Sequence, residues 1–219
     1  MARHASIATL PAPGLRERNK AEKLQRIRAA ASTLFIERGY DDTTMREIAQ
    51  RADIGFGTLF TYASDKRDLL FLIFNDELED VVSDATRSAQ KQDVFLEQLL
   101  AFFRCFYRFF ARQPALSRLV LRELTFYVEG KQAEQFQKSR ETLLQSLVVL
   151  TAQAQADGRI ASRETPAILA RALLSAYTGE LRYWLGDDAP DLKAGLAQLR
   201  RMLRLQIEGF APRPGAIEG

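Results

Sequence analysis

Thr43-Thr44-Met45-Arg46-Glu47-Ile48-Ala49, followed by Ala52-Asp53-Ile54-Gly55-Phe56-Gly57-Thr58-Leu59-Phe60-Thr61-Tyr62, decides how this chain folds. Thr44 to Glu47 is a capping box: the threonine hydroxyl and the glutamate each satisfy a free backbone N–H of a first helical turn, so a short helix starts here. Ile48, Ala49 and Ala52 give it one apolar face. Asp53-Ile54-Gly55 breaks it, and a second short helix over about 56–62 turns Leu59 and Tyr62 inward. Two short helices joined by a tight glycine-containing turn and braced by a preceding helix are a helix-turn-helix. Such a unit enters a major groove only if its second helix is exposed on one face. Phe56, Gly57, Thr58, Phe60 and Thr61 remain outward and meet that condition. On geometry alone, a three-helix unit used only for packing is the alternative.

Outward from this unit the 3.6-residue period continues in both directions. A bracing helix spans about 19–38, with Leu24, Ile27, Ala31, Leu34 and Phe35 on one face and Gly39 as its left-handed cap. Asp65 caps a long helix from Lys66 to about Ala89. Further helices are predicted near 93–112, 115–128, 133–156, 166–185 and 191–209. Pro114 stops the first of these, Gly130, Gly158 and Gly186 stand just past three helix ends, and Thr165-Pro166 and Asp188 with Pro190 mark N-termini. No run of alternating β-branched residues interrupts the pattern, so the fold class is all-α, with nine helices. The expected organisation is a mobile arm at 1–15, a helix-turn-helix domain at 16–65, a larger helical domain at 66–210 and a disordered tail at 211–219.

Charge follows this division. Residues 1–70 carry twelve Lys/Arg against nine Asp/Glu, which is the whole of the chain's net charge of +3, so the larger domain is balanced. Residues 1–28 concentrate the excess in Arg3, Arg16, Arg18, Lys20, Lys23, Arg26 and Arg28, opposed by Glu17 and Glu22. A basic patch beside a neutral body suits a polyanionic partner. With 47% hydrophobic and 27% charged residues the chain can bury a core. A single cysteine, Cys105, excludes an intrachain disulfide framework and fits a reducing cytoplasm. No signal peptide or membrane span is read, because the apolar tract Leu99–Phe110 is interrupted by Arg104 and Arg108, short of the roughly 18 apolar residues a span needs. An enzyme finds little support. The only histidine, His4, sits in the arm, Cys105 lies in an apolar helix, and neither a metal-ligand cluster nor a phosphate-binding glycine loop is present, so no cofactor is expected.

With Asp65-Lys66-Arg67-Asp68-Leu69-Leu70 after it and Ala29-Ala30-Ala31-Ser32-Thr33-Leu34-Phe35 with Glu37-Arg38-Gly39-Tyr40 before it, the opening stretch resembles the TetR family of bacterial repressors over about residues 20–70. The resemblance implies a cytoplasmic homodimer that binds double-stranded operator DNA as a repressor, with an activator as the alternative, and is released by a small, largely apolar or aromatic effector bound in the larger domain. It implies Thr58 and Thr61 as base-edge or phosphate contacts, Tyr62 and Lys66 on the DNA backbone, and Thr44 and Arg46 as phosphate contacts at a helix start. The sequence departs from the family at Gly55, Phe56, Phe60 and Ala63, where serine or alanine, a polar residue, tyrosine and phenylalanine are common. Phe56 offers no hydrogen bond, which favours a thymine methyl or deoxyribose over a guanine.

Residues 95–110 hold seven of the chain's 21 aromatics, Phe95, Phe102, Phe103, Phe106, Tyr107, Phe109 and Phe110. A helix so apolar on more than one face is core or lines a cavity. The resemblance implies an effector pocket beside it, with Phe102, Phe103, Phe106 and Phe110 as candidate contacts. Arg122, Phe126 and Tyr127 on the next helix, and Tyr177, Glu180, Tyr183 and Trp184 on the eighth, complete the candidate set. Leu192, Leu196, Leu199, Leu203 and Ile207 form one stripe, and Leu169, Leu173, Tyr177, Leu181 and Trp184 another. Leu174, Met202 and Leu205 lie off these stripes and are read as a partner face, which the family builds from its last two helices. A two-fold dimer places two reading helices roughly 34 Å apart and predicts a palindromic operator.

Overall fold

A computed structural model describes residues 14–209. Among them are nine α-helices and one 3-10 turn, with no strand. His4, most of the expected arm and all of the expected tail lie outside the described residues.

Helix α1 (Leu15–Glu37) starts four residues before the expected position, so Leu15 belongs to a helix rather than to an arm. Arg, Glu, Lys, Ala and Leu are strong helix formers, and Glu17 in the first turn complements the helix dipole. The first turns project exposed, while Ile27, Ala30, Ala31, Leu34 and Phe35 are buried. Gly39 closes the helix at φ +87°. Beyond it, the buried Thr43 hydroxyl lies 2.7 Å from the Gly39 carbonyl and 3.1 Å from that of Leu34, which also accepts the Arg38 N–H, so the loop is tied to the helix end.

Helix α2 (Met45–Arg51) opens with the expected box: the Thr44 hydroxyl accepts the Glu47 N–H, and Glu47 accepts the Thr44 N–H at 2.9 Å. In the turn that follows, the left-handed residue is Asp53 at φ +52°, whereas Gly55 sits at φ −62°. Aspartate tolerates this conformation, and Arg26 secures it with a 3.0 Å bond to the Asp53 carboxylate. Helix α3 (Phe56–Leu59) is shorter than expected. The Thr61 and Tyr62 N–H groups bond to the carbonyls of Thr58 and Leu59, three residues back, so the chain tightens out of α geometry after Leu59.

Helix α4 (Lys66–Ala89) runs from this unit into a bundle with α5 (Phe95–Ala111), α7 (Ala133–Ala156), α8 (Pro166–Gly186) and α9 (Leu192–Gly209). Helix α6 (Pro114–Glu123) packs on α1, α4, α5 and α8, at the junction of the two parts. All seven aromatics of α5 are buried. So is the α8 stripe from Leu169 to Trp184, while in α9 Leu199 and Leu203 are fully buried and Leu192, Leu196 and Ile207 are half-buried.

Other expectations are corrected. Helix α6 ends at Glu123, followed by the 3-10 turn Leu124–Phe126 and an extended Tyr127, because the Tyr127 side chain is drawn into a buried hydrogen bond. Gly130 and Gly158 have positive φ, but Gly186 is the last residue of α8, and the chain leaves through an extended Asp187. Leu174 faces inward to a cavity rather than to a partner, whereas Leu205 is 61% exposed. Cys105 is half-buried beside Ser88.

Candidate functional site

The surface expected to meet DNA is formed by α3, its exit turn and the start of α2. Phe56, Gly57, Phe60 and Thr61 are exposed, and Thr58 and Tyr62 are half-buried. Phe56 and Phe60 meet edge to face, ring centres 5.1 Å apart. The exposed Arg46 guanidinium stands 5.2 Å over Phe56. Thr44 is exposed at the N-cap of α2. The Thr61 hydroxyl donates to the Thr58 carbonyl at 2.7 Å. Lys66 is differently placed from its expected role: its ammonium donates to the carbonyls of Tyr40 (2.8 Å) and Asp41 (2.9 Å) and lies over the Tyr40 ring. It clamps the α1–α2 loop to the start of α4, leaving one of three N–H groups uncommitted.

Behind this surface a buried carboxylate ties the two parts together. Asp68, 1% exposed in the first turn of α4, accepts from the backbone N–H groups of Ser64 (2.7 Å), Lys131 (2.9 Å) and Gln132 (2.9 Å) and from the Tyr127 hydroxyl. Burial pushes its carboxyl up, but these four donors outweigh that and hold it below the usual carboxylate range. Gly130, at φ +132°, permits the approach, since a Cβ there would fall 2.7 Å from the Asp68 Oδ1. The Gln132 amide also donates to the Tyr62 carbonyl at 3.0 Å, so the α6–α7 loop touches the exit of the reading unit directly.

The larger part encloses a cavity of about 260 Å³ among α4, α5, α6, α7 and α8. Phe71, Phe74, Phe106, Phe109, Phe110, Phe136 and Tyr177 supply aromatic wall, with Leu and Val filling between them. Thr125 and Thr178 add hydroxyls, and the charged groups on the lining are Arg140 and Arg182, both exposed side chains and hence at its solvent end. Arg182 reaches the Thr125 hydroxyl at 3.3 Å. Among the described residues neither arginine is within ion-pair distance of a carboxylate.

Of the residues expected at an effector site, the structure brings Phe106, Phe110 and Tyr177 onto this cavity. Phe102 and Phe103 lie behind it, Phe103 stacked on Tyr177 at 4.3 Å. Tyr127 stacks on the outer side of Phe71 at 3.7 Å. Arg122 pairs with Glu123 and Asp41 at the junction. Phe126 and Tyr183 are 80% and 81% exposed, and Glu180 is half-buried off the cavity. Trp184 donates to the Asp191 carbonyl at 2.8 Å and packs on Gly195. The walls on α4 and α7 had not been foreseen. Phe71, Phe74 and Leu78, and Phe136, Arg140 and Leu143, each recur at one-face helical spacing, which marks a shared face but not what that face lines.

Comparison with known proteins agrees with this fold. Residues 27–73, from the middle of α1 into α4, match the family described as bacterial regulatory proteins, tetR family. The HTH-type transcriptional activator FasR of Mycolicibacterium smegmatis is 26% identical over 183 residues, 82% of this chain and 81% of that protein. The HTH-type transcriptional regulator HbdR of Aromatoleum sp. is 35% identical over 69 residues, 32% of this chain and 30% of that protein. Thermus thermophilus FadR, described as a TetR family transcriptional repressor in complex with lauroyl-CoA, has a TM-score of 0.64 at 24% identity, covering 90% of this chain and 99% of that one. Bacillus subtilis FadR, in complex with stearoyl-CoA, has a TM-score of 0.68 at 17% identity, covering 84% and 98%. No helix among the described residues is long and apolar enough to cross a membrane. Residues 27–73 thus form a helix-turn-helix unit of the bacterial tetR-family type, and the helices built on it share the fold of TetR-family regulators.

Proposed function

We propose that this protein is a homodimeric repressor, released from a palindromic operator when an amphiphile with an acyl chain and an anionic head enters the cavity. One observation carries the reading: a cavity walled by aromatic and aliphatic side chains has two arginines as its charged groups, and no carboxylate. Apolar walls with a few convergent polar groups are the usual construction of a ligand site, and this set favours an apolar chain with a negative end. The solved neighbours holding lauroyl-CoA and stearoyl-CoA support the same ligand class. In this reading residues 16–65 read DNA, residues 66–210 sense and dimerise, and the protein works in the cytoplasm without membrane attachment.

The test begins with footprinting on the gene's own upstream region. Binding to the protected site should fall with salt, with a log–log slope near −0.9 per neutralised phosphate. Lauroyl-CoA at micromolar concentration should release it, and CoA alone should not. An operator complex that persists in saturating lauroyl-CoA, free laurate and longer-chain homologues would reject this effector class. The relative described as an activator favours a second reading, in which the same ligand changes transcription in the opposite sense. A reporter carrying the footprinted promoter distinguishes the two.

The dimer is assigned to α8 and α9, which leave Ile168, Tyr183 and Leu205 exposed. Large apolar side chains left exposed along two packed helices are what an association face would cover. The wild type should sediment as a dimer at micromolar concentration without DNA, and Leu205→Glu, which would bury unpaired charge in the interface, should sediment as a folded monomer. A dimeric Leu205→Glu protein would place the interface elsewhere.

A further inference from the structure

Phe56 and Phe60 stand one turn apart on the reading surface, 41% and 39% exposed, and their edge-to-face contact makes a single apolar ridge. Among the described residues nothing covers these two phenylalanines. The ground around the ridge is bare: Gly57 carries no side chain, and a Cβ built there would meet nothing within 4 Å. Hydrogen-bonding capacity beside it is low. The Thr61 hydroxyl proton is given to the Thr58 carbonyl, Lys66 turns its ammonium to the α1–α2 loop, and Thr58 is half-buried. Arg46 keeps a positive charge against the Phe56 face, on the flank where a phosphate would pass.

In the major groove guanine and adenine offer hydrogen-bonding edges, whereas thymine alone offers an apolar group, its 5-methyl. A surface with an aromatic ridge, an open glycine and few free donors complements the methyl rather than the edges. We propose that Phe56 and Phe60 read thymine 5-methyl groups, with Arg46 holding the adjacent phosphate, so that operator choice is a pattern of methyls rather than of guanine contacts. This inference rests on the DNA-binding role of α3.

The experiment uses the full-length protein and the footprinted operator, with each thymine replaced in turn by deoxyuridine. That change removes the methyl and leaves every hydrogen-bonding group in place. Affinity should fall about fourfold for each contacted methyl, the factor that burial of one such group carries, at one to three positions in each half-site. Replacing guanines by 7-deazaguanine, which removes the N7 acceptor, should change affinity less than twofold. Phe56→Asn and Phe60→Asn should bind thymine and deoxyuridine operators equally, and Phe56→Leu should keep the discrimination. Tight binding with no thymine preference, together with a loss on 7-deazaguanine, would overturn methyl reading and leave the regulator intact. Failure to bind any DNA would overturn both readings.

Discussion

Asp68→Ala should destabilise the protein by about 3–5 kcal/mol, the range found when one member of a buried charged network is removed, and lower the melting temperature by about 10 °C at this chain length. The size follows from what the carboxylate leaves behind. Three backbone N–H groups, from Ser64, Lys131 and Gln132, and the Tyr127 hydroxyl lose their acceptor at once, in a place where Asp68 itself is 1% exposed. Each buried donor without a partner costs about 1–3 kcal/mol, and water entering the cavity recovers part of that sum. Asp68→Asn should fall between: one amide oxygen still accepts, but the amide N–H₂ faces backbone donors. The acid dependence separates charge from shape. Because the folded carboxyl is held below the usual range, its contribution is complete above the unfolded carboxylate's range and is lost as pH falls through the lower folded value. Asp68→Asn should therefore lack that acid limb. Calorimetric melts at neutral and acid pH measure all three proteins, and an Asp68→Ala melt within 2 °C of wild type would show that water replaces the carboxylate without loss.

This network also marks the limit of what could be read from residues in order. The reading unit was legible because its signals are local: a capping box, a broken period and a left-handed glycine lie within 25 residues of one another. The buried faces of α5, α8 and α9 were legible for the same reason, since helical spacing alone decides them. Asp68, by contrast, looks like one more acid in a helix's first turn, and its partners at 127–132 lie some sixty positions away. Lys66 was expected on the DNA backbone, but its partners are backbone carbonyls of the protein, which leave no trace in a pattern of side chains. The cavity divides along the same line. Phe106, Phe110 and Tyr177 were found because aromatic density on two helices is visible, while the walls from α4 and α7 depend on how those helices rotate against α5. Trp184 lies away from the cavity because Gly195 lets α9 approach the indole closely, a contact between two helices that neither helix's own sequence announces.

Arg140→Glu combined with Arg182→Glu should weaken lauroyl-CoA binding about 100-fold while leaving operator affinity and the melting temperature unchanged. Hydrogen bonds to charged groups contribute about 1.5–3 kcal/mol each. Solvent screening at an exposed rim takes the lower end of that range for each arginine, and about 3 kcal/mol is roughly two decades in affinity. Stability should not move, because among the described residues no carboxylate pairs with either guanidinium in the free protein; Arg140 lies 5.8 Å over the Phe136 ring, and Arg182 touches the Thr125 hydroxyl. DNA binding should not move either, since both arginines stand on α7 and α8, outside the reading unit. A neutral probe divides head from chain: dodecanol should bind wild type and double variant alike, because the Phe and Leu walls are untouched. Raising salt should narrow the gap between the two proteins for lauroyl-CoA, as expected of solvent-exposed charge. Coupling supplies a second readout. An effector shifts operator affinity only through its differential affinity for two states, and the coupling is reciprocal. If the arginines hold the head equally in both states, the double variant needs about 100-fold more lauroyl-CoA to reach the same release. If they hold it in one state alone, release itself is lost at saturation. Equal lauroyl-CoA affinities for the two proteins would return both arginines to the solvated surface and move the head of the ligand elsewhere.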